Sequence, residues 1–223
     1  MNLLRSLINY FWTTLLDYLF PRADEIKNLE NMSAEEMRAI FPPAILPPHS
    51  KHTALFSYKH PIVKRALWEI KYNHNIIVAD AIGVLLAEEI LGLLDDAMIH
   101  GDSKSILLVP MPLHKNRREE RGYNQCELLA ESAMKNGLLN IVTYAPSLLY
   151  KIKETPQQSH TKNREERLKN LKDSFALSAQ LELRGQTIIL LDDVVTTGAT
   201  FTEACTILEK SGTKRIFCIA IAH

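Results

Sequence analysis

The chain has 223 residues in which 26 Lys and Arg balance 26 Asp and Glu, a length that suits one principal globular domain with an appendage. Zero formal net charge gives no bulk reason to expect a nucleic-acid coat, a membrane-surface protein or an acidic tail, so any basic function has to be local. Cys126, Cys205 and Cys218 lie far apart and form no C-x-x-C pair, which argues against a disulfide framework or a cysteine-rich zinc site and predicts reduced, mostly packed thiols in a cytoplasmic protein.

At the start of the chain Leu3, Leu4, Leu7, Ile8, Phe11, Trp12, Leu15, Leu16, Leu19 and Phe20 recur in pairs every four residues, which is helical spacing. Arg5, Ser6, Asn9, Thr13, Thr14 and Asp17 interrupt the run, so it falls short of the ~20 predominantly apolar residues of a spanning helix. An amphipathic helix docked on the rest of the protein is expected; an interfacial or partner-binding helix is the alternative, though the polar face lacks the Lys and Arg of a membrane-surface helix. Pro42, Pro43, Pro47, Pro48 and Pro61 then mark a connector, because each removes a backbone donor and biases its predecessor toward extended backbone. This divides the chain into an N-terminal helical segment with its connector, residues 1–60, and a C-terminal unit, residues 61–223.

Within the C-terminal unit, residues 62–72 and 79–94 read as helices with apolar faces, followed by an apolar strand at 105–110. The segment that leaves this strand, 110–121, holds Lys115, Arg117, Arg118 and Arg121 against Glu119 and Glu120. Local positive charge after a strand suits phosphate contacts; a solvated charged loop leading into a helix is the plainer alternative. A helical pattern at 124–135, a short strand at 147–152 and a second cationic stretch at 151–170 come next. Strands at 187–191 and 215–222 enclose a helix at 200–210. Strands alternating with helices predict an α/β fold: an open, mostly parallel sheet with helices on both faces.

The most specific stretch is 187–200. A buried strand ends in Asp192 and Asp193, continues into Val195, Thr196, Thr197, Gly198, Ala199 and Thr200, and enters a helix. Ligands of open α/β sheets sit beyond the carboxyl ends of the strands. The N–H groups of a tight turn can form an anion nest there, the helix N-terminus adds partial positive charge, and the threonines offer hydroxyls. Gly198 permits close approach or positive φ. Asp192 and Asp193 are acceptors suited to sugar hydroxyls. Taken alone, the aspartates could simply end the strand and help cap the helix; the complete arrangement points to a sugar-phosphate site.

These residues resemble the signature of the type I phosphoribosyltransferases and, more narrowly, the competence protein ComF family. The narrower resemblance rests on Val109-Pro110-Met111-Pro112-Leu113-His114, on Arg121-Gly122-Tyr123-Asn124-Gln125 with Glu127-Leu128-Leu129-Ala130, and on Arg164-Glu165-Glu166-Arg167-Leu168-Lys169-Asn170 before Phe175. With 56–72 included, it covers most of residues 56–223. It implies a type I phosphoribosyltransferase-like fold that binds phosphoribosyl pyrophosphate or ribose 5-phosphate. Asp192 and Asp193 would take the ribose, and Val195, Thr196, Thr197, Gly198, Ala199 and Thr200 the 5-phosphate. Pro112, Leu113, Lys115 and Arg121 would face pyrophosphate, and Lys162, Arg164 and Arg167 would lie on a flexible loop that closes over the substrates.

The implied reaction is Mg²⁺-dependent phosphoribosyl transfer to an unidentified nucleophile, the ion riding on phosphate oxygens and water rather than in a dedicated metal site. A non-catalytic phosphoribosyl-ligand sensor, or a partner of nucleic acid or of the competence machinery, is the alternative. Lys71-Tyr72 also matches the family pattern, and a surface lysine beside a packed tyrosine explains it equally well. The chain departs from relatives after Phe20-Pro21, where Arg22-Ala23-Asp24 replaces the cysteines of a zinc-ribbon-like element, so no zinc is implied. Thr155-Pro156-Gln157-Gln158-Ser159-His160 matches a glutamine-containing loop only with a one-residue offset, so Gln157 and Gln158 receive no fixed role.

Overall fold

The structure is a computed structural model that describes residues 24–98, 105–154, 173–178 and 182–223. The expected N-terminal amphipathic helix and the loop candidates Lys162, Arg164 and Arg167 lie outside these residues. The described chain runs α1 (Asp24–Asn31), α2 (Ala34–Ile40), β1 (Thr53–Phe56), α3 (Pro61–Tyr72), α4 (Ile76–Met98), β2 (Ile106–Pro110), α5 (Lys115–Arg121), α6 (Gln125–Ala133), β3 (Thr143–Tyr144), β4 (Leu149–Lys151), β5 (Phe175–Leu177), β6 (Thr187–Val194), α7 (Ala199–Lys210) and β7 (Arg215–Ala222). Five strands form one sheet in the order β1-β7-β6-β2-β3, and every pairing in it is parallel.

The apolar runs of the central strands serve two cores at once. Along β6, Ile189 and Leu191 belong to one buried cluster, whereas Ile188 and Leu190 belong to the other. Leu108 against Leu107 and Val109 on β2, and Ile219 and Ile221 against Cys218 and Ala220 on β7, divide in the same way. Successive side chains of a strand point to opposite faces, so a strand covered on both sides reads as a continuous apolar run. Ile82, Leu86 and Ile90 of α4 and Leu129 of α6 fill the first face. Phe201, Ala204 and Leu208 of α7, with Leu149 and Phe175 of the β4–β5 ribbon, fill the second. α4 and α6 approach closely at Gly83, where an added Cβ would lie 2.4 Å from Ser132 Cβ.

Four expectations need correction. The core crosses the boundary placed at residue 60: Leu29, Met37, Phe41 and Phe56 are buried with the residues of α3 and α4, and β1 is an edge strand paired with β7. Prolines are compatible with sheet edges, and here 42–44 runs along the outer side of β1, with Ala44 N donating to Leu55 O at 3.1 Å and Ser57 N to Pro42 O at 2.8 Å. The segment read as a basic loop holds a helix, α5, with no buried residue; lacking an apolar face, it has no periodicity to detect. Its ends are set by His114, whose side chain accepts from Asn116 N, and by Gly122 at φ 82°. The strand expected at 147–152 is β4, which pairs antiparallel with β5 outside the main sheet. The fifth main-sheet strand is instead the two-residue β3, too short for its pattern to stand out. Among the described residues, no helix is long and apolar enough to cross a membrane.

Candidate functional site

β6 is central in the sheet, and its carboxyl end places Asp192 and Asp193 beyond the buried strand body. Each carboxylate folds back on the chain: Asp192 Oδ1 accepts from Asp193 N and Asp193 Oδ1 from Val194 N, both at 2.9 Å. Asp193 is buried, and its Oδ2 accepts from Gln125 Nε2 at 3.1 Å. Cys126 Sγ donates to Asp192 Oδ1 at 3.5 Å. Burial, and then the neighbouring Asp193 carboxylate, push the Asp192 carboxyl up to about 8. Burial and the same two aspartates push the Cys126 thiol well above its ordinary range. Burial therefore favours the protonated form of Asp192, in which the carboxyl can donate as well as accept.

The neighbouring wall comes from the turn between α5 and α6. Gly122 takes the left-handed backbone that ends α5, and Asn124 starts α6 by accepting from Cys126 N at 3.0 Å. Asn124 Nδ2 also donates to Met111 O at 3.0 Å, tying this turn to the end of β2. Gln125 and Cys126 therefore face the aspartates. Arg121 donates to Gln125 Oε1 and lies over the Tyr72 ring at 5.4 Å. α3 contributes Lys71, whose Nζ is 3.8 Å from Asp193 Oδ2. Tyr123 binds α3 in turn, donating its hydroxyl to Ile70 O at 2.7 Å while accepting from His74 N at 2.9 Å. β4 supplies Lys151, whose ammonium burial and nearby Arg117 hold below its usual range while Asp192 acts the other way.

After the aspartates, Val195 is buried, Thr196 and Thr197 are exposed, and Gly198 and Ala199 are buried where α7 begins. Gly198 sits at φ 72°, ψ 6° as the N-cap of the 12-residue helix. Thr197 Oγ1 accepts from Ala199 N at 3.4 Å, and Gly198 O accepts from both Thr202 N and Thr202 Oγ1. A Cβ on Gly198 would come within 3.2 Å of His52 Nδ1, so the turn is backed by a histidine that precedes β1. His52 stacks on His223 at 5.9 Å, and its Nε2 is buried without a hydrogen-bond partner. Burial, with His223 second, lowers its pKa, which favours neutral imidazole.

The fold brings Asp192, Asp193, Arg121 and the 195–200 turn to the carboxyl ends of β2 and β6, with Pro112 and Leu113 half-buried just after β2. Lys115 is directed elsewhere: its side chain is 83% exposed and pairs with Glu119 along α5. Arg121 is already engaged on two sides rather than held out on a loop. Sequence reasoning gave no role to Gln125, Cys126, Lys151 and His52, and left Lys71 open between a family-pattern residue and a surface lysine. Gln125 and Lys71 lay in stretches with family resemblance, but their contacts with Asp193 span 68 and 122 positions, beyond the reach of any local pattern.

Residues 143–223 match the phosphoribosyl transferase domain family. The chain is 27% identical over 176 residues to the DNA utilization protein YhgH of Salmonella typhimurium, a match covering 78% of this chain and 73% of that protein. It is 38% identical over 109 residues to competence protein ComFC of Bacillus subtilis, covering 48% of this chain and 40% of the relative. Among solved structures, a hypoxanthine phosphoribosyltransferase from Staphylococcus aureus superimposes with a TM-score of 0.37 at 8% identity, over 63% of this chain and 62% of that one. At that level the structural likeness adds no weight; the fold class stands on the chain's own parallel sheet and on the family match.

Proposed function

Because the chain belongs to the competence protein ComF family within the type I phosphoribosyltransferases, we propose that it binds phosphoribosyl pyrophosphate and transfers its phosphoribose to a nucleophile. The observation that carries this reading is the β6–α7 junction: two carboxylates at a strand end, then a turn with left-handed Gly198 opening a helix. The turn's N–H groups and helix dipole suit the 5-phosphate, and the aspartates suit ribose hydroxyls. Transfer would form a bond from the nucleophile to ribose C1 as the C1–oxygen bond to pyrophosphate breaks, so the protein's task is to position both and offset developing charge.

Among the described residues, Cys126, Asp192 and Asp193 bring a thiol and two carboxylate oxygens within 4.8 Å of one another. A hard cation seeks oxygen ligands and retains water, so this set suits Mg²⁺ as an ion borne on the diphosphate beside the aspartates, not as a resident of a protein cage. When bound it would neutralise charge on the departing pyrophosphate. The test is calorimetry with ribose 5-phosphate on the chain and on the Asp192→Ala, Asp193→Ala double variant. Affinity should drop at least about tenfold, the loss of one or more charge-assisted hydrogen bonds, with the circular dichroism spectrum retained. Undiminished affinity in a folded variant rejects the assignment. Release of pyrophosphate in the presence of a metabolite extract separates an enzyme from a sensor that only binds.

A second reading, contact with single-stranded nucleic acid, is favoured by α3. Trp68 and Tyr72 are 44% and 52% exposed with ring centroids 5.5 Å apart, and Arg65 lies over Trp68 at 4.9 Å. Aromatic faces interleaved with cations suit base stacking and backbone phosphates, and one relative is named a DNA utilization protein. A steep salt dependence of oligonucleotide affinity, weakened in Trp68→Ala, supports this reading; no measurable affinity removes it.

A further inference from the structure

The last turn of α3 delivers Lys71 to Asp193, but the contact is loose. At 3.8 Å the two groups attract without hydrogen-bond geometry. The carboxylate is bonded elsewhere, through Gln125 Nε2 on Oδ2 and Val194 N on Oδ1. Lys71 is also the partner that faces outward, its side chain 34% exposed against 11% for Asp193. Its ammonium lies 5.8 Å from the Tyr72 ring, which offers a surface over which the four-carbon stem can pivot. Arg121 is the opposite case, because its guanidinium is committed to Gln125 on one side and to the Tyr72 face on the other. A planar fork locked in that way gives up both contacts to reach a ligand, whereas a lysine presents three donors on a flexible stem.

We propose that Lys71 is the cation that meets the diphosphate arm of phosphoribosyl pyrophosphate, and that Arg121 is a positioning residue that holds Gln125 against Asp193. This rests on the phosphoribosyl reading of the β6–α7 junction and adds the side from which the leaving group is held. Ribose hydroxyls that donate to Asp193 weaken its claim on the ammonium, and the diphosphate brings a denser negative charge to the same mouth. Lys71 then changes partners by side-chain rotation alone. Gln125, fixed by Arg121, keeps the carboxylate in place while it does so.

The experiment titrates phosphoribosyl pyrophosphate and ribose 5-phosphate separately into the full chain and into Lys71→Met, Lys71→Arg and Arg121→Met, with circular dichroism on each. Lys71→Met should weaken phosphoribosyl pyrophosphate roughly tenfold or more, the worth of one charge-assisted hydrogen bond, while ribose 5-phosphate changes less than about twofold on the same scale. Lys71→Arg should recover most of the loss, and Arg121→Met should weaken both ligands in parallel because it acts through Asp193. Equal losses of both ligands in Lys71→Met, or an unchanged affinity for phosphoribosyl pyrophosphate, overturn the assignment. If the unmodified chain binds neither ligand, the phosphoribosyl reading itself fails and this inference with it. If it binds both and Lys71→Met discriminates between them no less than before, the inference alone fails.

Discussion

At Gly198 conformation and crowding act together. The residue sits at φ 72°, and any Cβ there meets His52 Nδ1 at 3.2 Å and Cε1 at 3.3 Å. A β-branched side chain is poorly tolerated in the left-handed region, and the imidazole is confined by the stacked His223 and by Phe201. Gly198→Val should therefore cost about 1–3 kcal/mol of stability through backbone strain. It should also weaken ribose 5-phosphate binding although it changes no charge, because the turn's N–H groups lose their alignment. Urea denaturation with calorimetry checks both halves. A Gly198→Val chain with unaltered affinity would mean that the turn does not cradle the phosphate. The glycine was legible from the sequence as a special position, since its neighbours and the strand before it form one continuous pattern. Its contact with His52 was not, because that residue lies far earlier in the chain and arrives from the β1 edge of the sheet.

α7 and β7 were both expected from their apolar runs, yet what joins them was hidden. Cys205 on α7 and Cys218 on β7 bring their sulfurs to 3.5 Å, although thirteen positions and no cysteine motif separate them in the sequence. Both are free thiols in the structure, and the helix-to-strand packing alone makes them neighbours. Closing the gap to a disulfide requires the sulfurs to approach to about 2.05 Å. The two thiols would lose two protons and two electrons to an added oxidant such as a small-molecule disulfide. Oxidised chain should then show an intact-mass decrease of two hydrogens that disappears in Cys205→Ser. Tying a loop of this size is worth on the order of 3 kcal/mol in an unstrained case, so the oxidised form should melt higher. Mixed disulfides on Cys205 with no internal bond would show that the backbone holds the sulfurs apart. The other elements divide along similar lines: β6, β7 and α7 show in the sequence because both faces are buried or one helix face is apolar. α5 has no apolar face, and β1 and β3 owe their place to partners in the sheet.

On the scale of the whole molecule, the division at residue 60 makes a prediction that the packing reverses. Two autonomous parts would let a chain beginning at Pro61 fold alone. The described part of 24–60 instead places Leu29, Met37, Phe41 and Phe56 in the larger core, and β1 closes the β7 edge of the sheet. Each such side chain is worth about 1.5–3 kcal/mol when fully buried. Four together approach the roughly 5–15 kcal/mol that separates a folded domain from its unfolded chain. His52, which backs the 195–200 turn, would be lost as well, and β7 would present an unpaired row of backbone groups that invites association. A chain of residues 61–223 should therefore lack a cooperative thermal transition, aggregate, and bind no ribose 5-phosphate, even though it retains Asp192, Asp193 and the entire 195–200 turn. Scanning calorimetry beside size-exclusion chromatography checks this. A monomer that melts within about 5 °C of the full chain, a shift on the order of 1–2 kcal/mol for a domain of this size, would restore the boundary at residue 60 and show that the first strand is an accessory to the sheet.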